Sequence, residues 1–128
     1  MFSHIMLGAK DIAASKSFYD ATLGTLGVPA GFQDPKGRVF WRTKTGVFAI
    51  TAPIDGAAAS AGNGSTYGFA AADKAAVDAW HKAGLAAGGK AIEEPPGVRT
   101  NGAMQLYIAY LRDPSGNKVC AMYRMPAA

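Results

Sequence analysis

The sequence predicts an α+β fold of two βαβββ modules, at about residues 1–51 and 65–128, joined by a linker over 52–64. Three features predict it. The chain repeats weakly at an offset of 62, where Asp11 matches Asp73, Phe18 matches Trp80 and Gly27 matches Gly89. Beyond a longer loop in the second half, Ala49 matches Cys120. Each half passes from strand-like alternation to a helical period and back to strand-like runs. Late in the chain, Asp113-Pro114-Ser115-Gly116-Asn117 parts two runs rich in Tyr, Leu, Ile and Val, the signature of a hairpin. One such unit is too small to bury its sheet, so two must pack together.

The elements follow in order. Phe2 to Gly8 alternates and reads as a first strand, with no basic segment or cleavage site of a signal peptide. Asp11 is an N-cap for a helix from Ile12 to about Leu23, whose apolar residues fall at helical spacing and which Gly24 and Gly27 stop. Pro29 to Gln33 reads as a short strand and Asp34-Pro35-Lys36-Gly37 as a turn. Arg38–Thr43 and Val47–Thr51 are strands. Residues 52–64 are small, polar or helix-breaking and form no element.

The pattern then restarts. Ser65–Ala71 is a strand, and Asp73 opens a helix to about Ala87 with Val77, Trp80 and Leu85 on its core face. Lys90–Glu94 is a strand that Pro95-Pro96-Gly97 breaks. Val98 to Ala103 reads as a loop, and Gly97 to Met104 is long enough to serve as a lid. The closing hairpin starts near Gln105. Pro114 presets φ in its turn, Gly116 supplies a positive φ, and Asp113 and Asn117 bond their own backbone.

Composition narrows the function. The chain has 128 residues, 49% hydrophobic and 17% charged, which is enough for one globular core. No apolar run reaches the roughly 20 residues of a spanning helix, so no membrane partner is expected. The formal net charge is +4, with scattered basic residues whose densest group is Lys36, Arg38, Arg42 and Lys44. A nucleic-acid reader needs a denser patch interleaved with aromatics, so no nucleic-acid partner is expected. A single cysteine, Cys120, allows no internal disulfide, and a cytoplasmic location is expected. A Ser-His-Asp set, a Gly-rich phosphate loop, a CxxC pair and an HExxH helix are all missing.

The Asp-Pro-Ser-Gly-Asn hairpin, Ser17-Phe18-Tyr19 in the first helix and His4 on the opening strand resemble the vicinal oxygen chelate superfamily of glyoxalases, bleomycin-resistance proteins and dioxygenases. The resemblance spans the whole chain. It implies a curled mixed sheet around one cup, and it leaves the reaction open, since one fold serves many activities. Members that use metal draw ligands from four cup positions, which correspond here to His4, Ala49, Thr66 and Cys120. Ala49 has no donor atom and Thr66 is a poor one. Cys120 binds only as a thiolate, whereas a divalent ion takes three or four ligands. No cofactor is therefore expected.

The resemblance and strand alternation together set the expected cup lining. Lys118 and Met122 join Cys120 on the cup side, with Ile108 and Tyr110 across the hairpin. Val39, Trp41, Val47 and Ala49 are expected to face it from the first module, and Thr66 and Gly68 to stand near His4 and Met6. Trp41 and Tyr110 offer flat surfaces to a planar ligand, His4 is the best acid/base candidate, and Arg99 is placed to meet an anionic group. His81 is expected at solvent on the second helix. The expected function is metal-free binding of a small, partly aromatic molecule by a homodimer. The alternative is a divergent lyase, isomerase or dioxygenase that holds a divalent metal through His4, Cys120 and water or a partner chain.

Overall fold

The sequence repeat is also a repeat of structure. The computed structural model describes residues 1–127. The first module contains β1 (His4–Gly8), α1 (Ile12–Gly24), β2 (Phe32–Gln33), β3 (Val39–Thr43) and β4 (Gly46–Thr51). The second contains β5 (Tyr67–Ala70), α2 (Lys74–Ala86), β6 (Lys90–Ala91), β7 (Gly97–Asn101), β8 (Met104–Arg112) and β9 (Lys118–Arg124). Both helices are capped alike, Asp11 accepting from the Ala14 N–H at 3.1 Å and Asp73 from the Ala76 N–H at 2.8 Å. In the strands, Met6 lies opposite Ala49, and Gly68, 62 residues after Met6, lies opposite Cys120.

Each module makes one open sheet. The first has the order β1-β4-β3-β2, with β1 parallel to β4. The second has the order β5-β9-β8-β6, with β5 parallel to β9 and with β7 also paired to β8. Several strands are shorter than the sequence predicts, the second module opening at Tyr67 rather than Ser65 and β6 ending at Ala91 rather than Glu94.

The expected lid over Gly97–Met104 is not a loop. Val98, Arg99 and Thr100 lie in β7, antiparallel to β8, and Asn101 pairs with Met104. Gly102 turns the chain at φ +61°, a conformation that glycine adopts without strain at the first central position of a tight hairpin. β6 ends at Ala91, ahead of Glu93 at φ +58° and of both prolines, and the edge of β8 it leaves unpaired is filled again from Gly97 onward.

Both helices lie on the same side of their sheets and touch one another. Between them sit Phe18, Tyr19, Leu23, Val77, Trp80 and Leu111, all buried. Leu85, expected in this core, is instead exposed, and Gly84 holds the buried position one residue earlier. A Cβ at Gly84 would collide with the Leu111 side chain and crowd Phe18 and Thr22, so the close approach of α2 needs a glycine there.

The closing turn clamps the modules together. Asp113, Ser115 and Asn117 are buried although polar. One Asp113 carboxylate oxygen accepts the Ser115 and Asn117 amides, both at 2.9 Å, which sets the turn. The other accepts the Tyr19 hydroxyl at 2.6 Å and the Asn117 side-chain amide at 2.9 Å. Asn117 also donates to the Gly8 carbonyl at 3.1 Å, and the Lys10 amide donates to Ser115 Oγ at 2.8 Å. A turn of the second module thus grips β1 and α1 of the first. No helix among the described residues is long and apolar enough to cross a membrane.

Candidate functional site

Helices cover one face of each sheet, and the other face is left to side chains that the helices do not pack against. Alternation decides which side chains reach it, and residues directly opposite in a ladder share a face. On the first sheet, His4 pairs with Val47, Met6 with Ala49 and Phe40 with Ala49, which places His4, Met6, Phe40, Val47 and Ala49 on the face away from the helices. On the second, Tyr110 pairs with Cys120, Ile108 with Met122 and Arg99 with Leu106, which groups these residues in the same way.

Trp41 and Val39 lie on the opposite face. Trp41 pairs with Phe48 and is 1% exposed, and Val39 is fully buried. The Trp41 indole N–H donates to Asp20 at 3.0 Å, and its ring lies 5.6 Å from Tyr19, inside an aromatic cluster with Phe48. Trp41, expected to line the cup, thus stands on the helix side of its sheet, from where it also borders the hollow between β1 and β5. Its parity follows from the β3–β4 register, in which Ala49 opposes Phe40, so the aromatic side chain facing outward from β3 is Phe40. Arg38 and Arg42 stack over that ring at 5.6 and 5.2 Å.

The four positions that the resemblance marks for metal ligands are divided here. His4 starts β1, exposed, with Ser3 Oγ 2.9 Å from its Nδ1, and stands diagonally from donorless Ala49. Thr66 lies just ahead of β5, so the direct neighbour of Cys120 is Gly68 rather than Thr66. Cys120 is 5% exposed, and burial pushes its thiol up to about 11 although Lys118 opposes the shift. With no metal beside it, the thiol therefore stays protonated near neutrality. Among the described residues, no three His, Cys, Asp or Glu side chains gather around a common point. This donor set does not fit a divalent ion.

Apolar and aromatic side chains occupy the second sheet's open face. Ile108 and Cys120 are buried there, with Tyr110 and Met122 half-buried beside them. The Lys118 ammonium lies 4.9 Å from the Tyr110 ring centre and pairs with Glu93. Burial raises the Tyr110 hydroxyl above its ordinary value, and Cys120 and Glu93 add to this while Lys118 and Arg99 oppose it. Tyr110 is thus a neutral donor at physiological pH. Arg99 is held by its bond to the Pro95 carbonyl at 3.0 Å.

Two hollows flank these faces. One, of about 300 Å³, lies where the modules meet, between β1 and β5, and is lined from both faces of the first sheet, by His4 and Val47 and by Ile5, Trp41 and Phe48, with Gly68 opposite. Another, of about 490 Å³, is polar and is lined by residues 61–66 with Arg112, Gly116 and Lys118. Thr66 belongs to the second, which separates it from His4. His81, expected at solvent, is half-buried on α2, and burial lowers its pKa although Asp78 opposes the shift. Arg112 escaped notice in the sequence. The signal for it was its place on the arm opposite Lys118, immediately before the closing turn.

Residues 1–121 match the family described as Glyoxalase/Bleomycin resistance protein/Dioxygenase superfamily. The chain is similar to a glyoxalase/bleomycin resistance protein from Albidiferax ferrireducens, with 54% identity and a TM-score of 0.94 over 97% of this chain and 99% of that one. A glyoxalase/bleomycin resistance protein/dioxygenase family enzyme from Burkholderia phytofirmans shares the fold at 21% identity and a TM-score of 0.73, over 96% of this chain and 98% of that one. A glyoxalase-related enzyme from Fulvimarina pelagi shares it at 19% identity and a TM-score of 0.71, over 100% and 99%. No curated protein matches the chain.

Proposed function

This chain belongs to the glyoxalase/bleomycin resistance protein/dioxygenase superfamily, and we propose that within it the chain binds a small, partly aromatic molecule without a metal. The observation that carries this is the open face of β8 and β9. Ile108, Tyr110, Cys120 and Met122 make an apolar floor there with one neutral hydroxyl donor. Mostly apolar walls with a few placed polar groups are what small-molecule sites present. Stacking on one aromatic ring contributes about 0.5–1.5 kcal/mol beyond area burial. The empty donor position at Ala49 and the protonated Cys120 thiol support independence from metal.

We further propose that the chain pairs as a homodimer. Phe2 is 67% exposed, Phe32 63% and Met6 37%, which leaves apolar surface on and beside the first sheet. Size-exclusion chromatography with light scattering checks this, and a monomer at all concentrations contradicts it.

Calorimetric titration of 2-naphthol into protein purified with and without chelator tests the binding function. Equal affinity in both preparations, weakened about tenfold by Tyr110→Ala, supports it, since tenfold corresponds to about 1.4 kcal/mol. Binding that returns only when zinc, iron, nickel or manganese is restored moves the assignment to a metal enzyme.

A further inference from the structure

The floor described above ends in a row of three positive charges. Lys90 lies directly opposite Arg112 across β6 and β8, and Arg112 directly opposite Lys118 across β8 and β9. Like charges placed directly opposite in a ladder destabilise a sheet. Compensation inside the protein is thin. Among the described residues, Glu93 pairs with Lys118, and no carboxylate lies within ion-pair distance of Arg112 or Lys90. Arg112 donates to the Gly116 carbonyl at 3.0 Å, which fixes one edge of its guanidinium.

Beside this row is the polar hollow of about 490 Å³, whose other wall is the segment Gly62-Asn63-Gly64-Ser65-Thr66. Gly64 has φ +90°, and the Ser65 amide closes a turn on the Gly62 carbonyl at 3.3 Å. Glycines here let another group approach the backbone closely, and Ser65 and Thr66 add two hydroxyl donors. Lys118 belongs to both places, reaching the hollow and lying over the Tyr110 ring.

We propose that Arg112, Lys118 and the 62–66 segment form an oxyanion subsite for the carboxylate or phosphate of the molecule bound on the β8–β9 face. This rests on the binding function proposed above and narrows its ligand to a planar compound carrying an anionic group. Arg112 presents a planar fork of donors suited to two oxygens, and Lys118 adds a point charge between that group and the aromatic body. An occupying anion neutralises Arg112 and Lys90, which have no carboxylate partner among the described residues.

Amide-resolved NMR titrations with phenol, phenyl phosphate and inorganic phosphate, at ionic strength held constant with chloride, test the subsite. Inorganic phosphate should shift the amides of residues 62–66, 116 and 118. Phenyl phosphate should bind at least about tenfold tighter than phenol. Arg112→Gln should bring that ratio toward one. Lys90→Gln, an exposed change that leaves the turn contacts intact, should reduce it in part. The proposal falls if phosphate moves no amide in 62–66, or if neither substitution changes the ratio. It falls too if inorganic phosphate binds as tightly as phenyl phosphate, which marks a site for the free anion. Phenol binding with no phosphate-induced shift in 62–66 removes the subsite and leaves the aromatic floor standing, whereas loss of phenol binding removes the floor itself, so the two failures are distinct.

Discussion

The two faces of β8 and β9 differ by one residue in phase and by everything in environment. Ala109, Leu111, Val119 and Ala121 point toward the helices and are fully buried in the shared core. Ile108, Tyr110, Cys120 and Met122 point the other way, where no helix covers them. The first sheet repeats the contrast, with Trp41, Phe48 and Ile50 in the core and His4, Met6 and Phe40 outside it. The helix-side face therefore holds most of the shared core, while the other face combines buried Ala49, Ile108 and Cys120 with partly open His4, Met6, Tyr110 and Met122.

Changes on the helix side should unfold, and the largest effect is expected at the clamp. Asp113→Ala strands the Tyr19 hydroxyl and two turn amides and removes one of the two acceptors of the Asn117 side-chain amide, and each unsatisfied buried group costs about 1–3 kcal/mol. Urea unfolding should show a loss on the order of 3–5 kcal/mol, and a loss below about 1 kcal/mol would deny that this turn joins the modules. Trp41→Ala should cost a similar amount, about 3–5 kcal/mol, through the cavity it leaves among Tyr19, Phe48 and Asp20. A near-neutral result would return Trp41 to the open face.

These two residues also mark what the sequence disclosed. The caps at Asp11 and Asp73, the two helices and the closing hairpin were legible because each is a local pattern with its own turn or capping chemistry. The 62-residue repeat likewise gave the modular architecture. Trp41 was not legible, because which face a strand buries depends on register. Register is set by the partner strand, and a shift of one residue moves every side chain across the sheet. The β7 strand was missed because Gly97 and Gly102 bracket it like a loop, while its pairing comes from β8. Leu85 was misplaced because helical spacing favours a large apolar residue, and only the contact between α1 and α2 shows that a glycine is required.

A smaller effect is expected at Cys120, which sharpens the contrast between an outward-facing position and an exposed one. Burial raises its thiol to about 11 from an unfolded value near 9.0. Between these values the folded chain keeps a proton that the unfolded chain has released. The associated stability is thus complete below about pH 9 and is lost as pH rises through about 11. Urea unfolding should show a decline over that window that is reduced in Cys120→Ala, and thiol-reagent labelling should stay slow at neutral pH. Fast labelling at pH 7 would mean that the floor of the open face is not closed.

The most direct test of the account asks where a neutral planar molecule sits on chelator-treated protein. Titrating 2-naphthol while following backbone amides should move signals of residues 108, 110, 120 and 122 and their strand neighbours. Tyr110→Ala should weaken this binding about tenfold while changing stability by less than about 1 kcal/mol. Shifts confined to the helix side, or absent until a divalent metal is added, would contradict the claim that the uncovered face of β8 and β9 binds a small molecule without metal.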